Sequence, residues 1–150
     1  MKKIFLIACS VLVLGACKKE ETTTGTNNNN NNNNNQSKET LLTNGSQKDW
    51  QVTKLVIGGV DMTGTFLEAC NLDDLYRYKK GGTYEVWEGA SKCNSSDPDM
   101  VDDGTWAFAT NETQIVVDGE AMTIAELTST TLRVTGDFAG NPAEVTYKAK

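Results

Sequence analysis

From about Thr40 the chain runs in short β-rich stretches of apolar and polar residues, and no segment repeats apolar residues at i, i+3, i+4 and i+7 over three helical turns. Trp50-Gln51-Val52-Thr53 alternates with period two. The alternation then slips through Lys54-Leu55-Val56-Ile57, which predicts a bulge. Gly58-Gly59 turns the chain into Val60-Asp61-Met62. Leu75-Tyr76-Arg77-Tyr78-Lys79 and Thr83-Tyr84-Glu85-Val86-Trp87-Glu88 flank Gly81-Gly82 and predict a hairpin. Within the second of these runs, Tyr84 and Val86 share one face, with Glu85 and Trp87 on the other. Further strands are expected at 104–108, 114–117, 121–127, 131–135 and 144–148, with Asp118-Gly119 as the strongest two-residue turn signal. Only Phe66 to Leu75 has the pattern for one or two helical turns. Both prolines, Pro98 and Pro142, fall in turn contexts.

These elements add up to an all-β domain of about eight antiparallel strands in meander order. An open twisted sheet of that size leaves two unpaired edges, and closure removes them. Short connections throughout favour an up-and-down barrel over a Greek-key sandwich. Eight strands enclose an interior that side chains fill or that holds one small ligand.

The first thirty-nine residues follow different rules. Met1-Lys2-Lys3 precedes an apolar run from Ile4 to Leu14, a charged then hydrophobic order that reads as an export signal. The run is shorter than the ~20 residues a bilayer span needs. Leu14-Gly15-Ala16-Cys17 resembles the lipobox of bacterial lipoproteins. That resemblance implies cleavage after residue 16, lipid on Cys17 and anchorage to a membrane, with two or three acyl chains holding where one is marginal. Residues 17–39 then form a tether. Lys18-Lys19-Glu20-Glu21 resembles the charged export signal of surface-exposed lipoproteins of Bacteroidetes, implying an outer-membrane protein at the cell surface, with a periplasm-facing anchor as the alternative. Nine asparagines, Asn27 to Asn35, build no core and read as a disordered spacer spanning ~25–30 Å with its neighbours. The domain proper is expected over 40–150.

Composition narrows the chemistry. The 150 residues carry a net charge of −6 and no histidine. The acidic balance argues against a nucleic-acid partner. The missing histidine removes histidine-based nucleophile systems and the commonest zinc ligand, so no enzyme activity, cofactor or metal is expected. Of the four cysteines, Cys9 lies in the signal and Cys17 at the anchor, leaving Cys70 and Cys93. In an exported domain with no Cys-x-x-Cys these two are expected to pair as a structural disulfide. Asp97, Asp99, Asp102 and Asp103 form an acidic stretch whose spacing does not match a calcium loop, and it reads as solvated. Asp73-Asp74 near Glu68 reads as capping rather than as an acid/base pair.

The domain as a whole resembles the lipocalin-like domain of Bacteroidetes lipoproteins. The resemblance rests on Trp50, on the segment Leu67 to Asp74, on Tyr78-Lys79 with Gly82-Thr83-Tyr84, on Gly89 and Cys93, on Gly104-Thr105-Trp106, and on Leu127 to Leu132. It implies a small barrel with an internal or mouth-facing pocket. Trp50 follows Gln47-Lys48-Asp49 rather than the Gly-x-Trp of secreted lipocalins, and Gly-Thr-Trp stands mid-chain instead. The expected function is a monomeric, non-catalytic module binding a small hydrophobic or amphipathic ligand, with Tyr84, Trp87 and Trp106 as candidate ligand-facing aromatics. The alternative is a filled barrel that recognises a protein or glycan partner.

Overall fold

The computed structural model describes residues 36–150, so the expectations for the signal, for Cys17 and for most of the tether lie outside the described residues. The described chain opens with α1 (Lys38–Thr43), a single short helix. Ser37 caps it by accepting from the Thr40 amide, and Asn44 ends it in the left-handed conformation. Nine strands follow: β1 (Gln47–Ile57), β2 (Val60–Asp61), β3 (Leu75–Lys79), β4 (Thr83–Trp87), β5 (Met100–Ala109), β6 (Gln114–Val117), β7 (Glu120–Leu127), β8 (Thr131–Phe138) and β9 (Asn141–Ala149). Two short helices, α2 (Thr63–Phe66) and α3 (Ala69–Leu72), lie between β2 and β3.

All pairings are antiparallel, and apart from the β2 hairpin each strand lies beside the next in sequence. Strand β1 also pairs with β9 from Trp50↔Ala149 to Ile57↔Ala143, closing β1 and β3–β9 into an eight-stranded barrel. The register shifts between Val52 and Lys54, where the alternation slips in the sequence. A bulge there bends β1 and lets Trp50 and Val52 on one side, and Leu55 and Ile57 on the other, face the same interior.

The α1 end is sealed. Leu42 and Trp50 are fully buried, and the Trp50 indole donates to the Leu42 carbonyl at 2.9 Å. The Lys48 ammonium lies 4.6 Å from the Trp50 ring centroid and donates to the carbonyls of Leu41 and Ser129. The helix is thereby stapled to the β7–β8 turn. Ile115, Leu132, Val134 and Tyr147 fill the adjoining core. Helix α1 itself is absent from the sequence expectations. Six residues are too few to show a helical period, and the helix is held by this packing rather than by propensity.

Two strands also run further than their patterns suggest. Strand β5 begins at Met100, so Asp102 and Asp103 belong to the sheet rather than to a solvated loop. Pro142 is the second residue of β9, beside the hairpin turn, where its carbonyl accepts from the Gly58 amide.

Candidate mouth of the barrel

At the end opposite α1, the interior positions follow from strand parity. Tyr76 and Val86 face each other across β3 and β4, and Tyr78 faces Tyr84. One residue beyond the last pair of that ladder, Asp74 and Glu88 continue the same inward parity. On β5 the partners of Val86 and Tyr84 are Asp102 and Gly104. The mouth therefore collects carboxylates from just outside β3 and β4 and from within β5, next to a layer of tyrosines.

The tyrosines pack on one another. Tyr76 meets Tyr147 edge to face at 5.5 Å, and Tyr78 stacks on Tyr84 at 6.0 Å. The Tyr84 hydroxyl donates to Asp118 Oδ2 at 2.7 Å, while Asp118 Oδ1 accepts from the Thr105 amide at 2.8 Å. Position 104 has to be glycine for this to happen, because a Cβ there would lie 2.2 Å from Asp118 Oδ1. Burial first, and then the Asp118 hydrogen bond, push the Tyr84 phenol well above its ordinary range. Burial also pushes Tyr76 up to about 12, with Asp74 and Asp102 adding to it.

Asp74 is the most perturbed acid. It is only 7% exposed, and its Oδ1 has no hydrogen-bond partner, as is also true of Glu88 Oε2. Burial raises its pKa to about 6, with the Glu88 charge as the next cause. Asp73, its sequence neighbour, has a different job. Its Oδ2 accepts from the Ser91 amide at 2.9 Å and from the Ser91 hydroxyl at 2.8 Å, which pins the loop after β4.

That loop is pinned a second time by the Cys70–Cys93 disulfide, which ties α3 to residues 88–99. Glu68 and Asn71 form a reciprocal capping box on α3. Lys92 pairs with Asp99 and donates to the Asp97 carbonyl, which ties the first two aspartates of the acidic stretch to this loop. Among the described residues, the ligand atoms of Glu68, Cys70 and Cys93 are the one three-residue cluster within metal-binding reach. Both of its sulfurs are committed to the disulfide, so a single carboxylate remains.

The three aromatics expected to face a ligand do not share a surface. Tyr84 and Trp106 are buried inside the barrel. The Trp106 indole donates to the carbonyls of Lys79 and Thr83, a structural tie between β5 and the β3–β4 turn. Trp87 sits on the outer face, where Arg77 lies 5.4 Å from its ring and its indole donates to Glu85. Arg77 in turn makes a two-pronged pair with Asp49, and Lys79 pairs with Glu85. Sequence reasoning assigned Asp74 to capping and Asp102 to a solvated stretch, read Tyr76 as a strand aromatic only, and gave Glu88 no role. The spacing Asp74-x-Tyr76-x-Tyr78 carries the signal, since period two puts all three on one face.

Two open clefts lie elsewhere. One of about 390 Å³ runs beside α1, between Thr40, Asn44, Lys48 and Ser129. The other, about 530 Å³, lies against Val56, Thr123, Thr135 and Glu144. Neither is lined by the interior tyrosines.

A lipocalin-like domain profile matches residues 44–134, from the end of α1 into β8. No curated protein matches the chain.

Proposed function

Because the chain belongs to the lipocalin-like domain family, whose barrel is typically a non-enzymatic binding fold, we propose that it holds a small hydrophobic or amphipathic molecule, taken in at the mouth opposite α1. The observation that carries this reading is the asymmetry of the interior. The α1 end is closed by Leu42, Trp50 and Lys48. Toward the mouth, Leu55, Ile57, Met122 and Val145 are only half-buried. Apolar side chains left partly exposed inside a closed barrel are what an apolar ligand covers. The lipobox resemblance at Cys17 supports a lipid anchor, and the tether supports display of the barrel away from a membrane, at the surface of an outer membrane.

Native mass spectrometry of the protein isolated from its own host tests this. The expected result is a reproducible mass excess of a few hundred daltons that organic extraction removes. A protein that is reproducibly empty overturns the reading. That outcome favours the second one, in which the barrel acts as an interaction module. The observation behind the second reading is that Val60, Phe66, Met100 and Val101, all exposed, lie at the mouth end of the molecule.

A further inference from the structure

We propose that the mouth selects an organic cation, an amphiphile with an ammonium head, whose charge is met by Asp74 and Glu88 and whose carbon is met by the tyrosine layer beneath them. The proposal rests on the reading that the mouth binds a small molecule, and it adds the chemical class of that molecule.

The argument begins with an imbalance of charge. A carboxylate taken out of water is normally paired or fully hydrogen-bonded. Asp74 is more than nine-tenths buried, and one of its oxygens has no partner, nor has one oxygen of Glu88. Asp74 accepts hydrogen bonds from the Gly89 amide and the Asn71 side chain, both neutral, and the charges that act on it are those of Glu88 and Asp73, while Asp102 on β5 acts with it on Tyr76. No lysine or arginine is among the groups that act on Asp74, and several basic side chains are engaged elsewhere, Lys54 with Asp61 among them. Arg77 is held by Asp49, Lys79 by Glu85, Lys92 by Asp99, and Arg133 by Glu126 and Glu144. Lys48 is at the sealed end.

The second step is chemical class. A hard divalent ion such as calcium takes six to eight oxygens. The ligand atoms of Asp74 and Glu88 are not part of any three-residue cluster of metal-binding reach among the described residues. Two unmet carboxylate oxygens at the inward positions next to Tyr76 and Val86 suit an ammonium, which is content with a few acceptors and is attracted to the negative face of a tyrosine ring. The half-buried apolar positions below, Leu55, Met122 and Val145, suit an alkyl chain rather than a small polar amine. An anionic head, such as that of a fatty acid, would meet like charge.

Calorimetric titration of the mature protein with n-decylammonium, decanol and decanoate, each below its micellar range at pH 7.5, tests the assignment. Decylammonium is expected to bind ~10-fold or more tighter than decanol, and decanoate weaker than either. Asp74→Asn, which keeps the shape, should lose most of that preference and leave decanol binding unchanged. Glu88→Gln should do the same if Asp74→Asn proves poorly folded. Asp103→Asn, an exposed change of the same charge on β5, should leave the preference intact, which separates the mouth from general attraction to an acidic surface. Decanol or decanoate binding as tightly as decylammonium, or a preference that survives both mouth variants, overturns the cation assignment while leaving the binding reading standing. Calcium competing decylammonium out of the mouth overturns the assignment as well. Failure of all three probes to bind overturns both.

Discussion

At the residue scale, Asp74 sets a pH dependence whose sign is fixed by the direction of its shift. Its folded-state pKa is raised from 3.8 to about 6. Between those values the native chain holds a proton that the unfolded chain has lost, so stability falls as pH rises from ~4 to ~6 and stays lower above that. Two units correspond to at most ~3 kcal/mol, and relaxation and water access reduce this toward 1. Asp74→Asn is therefore expected to stabilise the protein at pH 7.5 by ~1–3 kcal/mol and to change little at pH 3.5. Urea unfolding at the two pH values checks it. A variant destabilised at pH 7.5 would mean that the carboxylate serves the fold. A residue that lowers stability while remaining the better choice for a ligand is the usual signature of a binding site.

At the element scale, the mouth is assembled by two ties on one loop. Asp73 holds Ser91, and Cys70 holds Cys93. The disulfide spans 23 residues, for which loss of unfolded-state entropy gives ~3 kcal/mol. Replacing both cysteines by serine should lower the unfolding free energy by about that amount, and the urea midpoint with it, without removing the barrel, since neither residue belongs to a strand. Amide exchange should quicken in residues 88–99 and around α3, and remain slow at Trp50 and Leu132. Exchange that quickens everywhere would mean that the bridge supports the whole fold. The strands were legible in the sequence because period two is a local property, and even the β1 bulge showed as a slip of that period. Helix α1 was not legible. Leu42 becomes a core residue only because β1 brings Trp50 beneath it. For the same reason Trp106 and Trp87 could not be told apart by residue type. Strand parity alone places one inside the barrel and the other under Arg77.

At the scale of the whole molecule, the described N-terminus leads into α1, at the sealed end of the barrel. A chain anchored through Cys17 would carry a spacer of under twenty residues before Gln36 and reach the barrel from that end. The binding reading thus pairs an anchor at one pole with a mouth at the other. Cys17→Ala, with export otherwise intact, should move the protein from the detergent phase to the aqueous phase in a phase-separation assay. Retention in the detergent phase would remove the lipid anchor from the proposal. By itself, the sequence determined the fold class, the strand order, the pairing of Cys70 with Cys93, and an interior built without histidine. Those follow from local alternation, turn residues and composition. Only the tertiary structure decided the register in which β1 meets β9, that α1 seals one end, and that Asp74 is buried beside Glu88 with an oxygen unmet. The reason is physical. Burial and charge compensation are sums over strands distant in sequence, and no local pattern contains them.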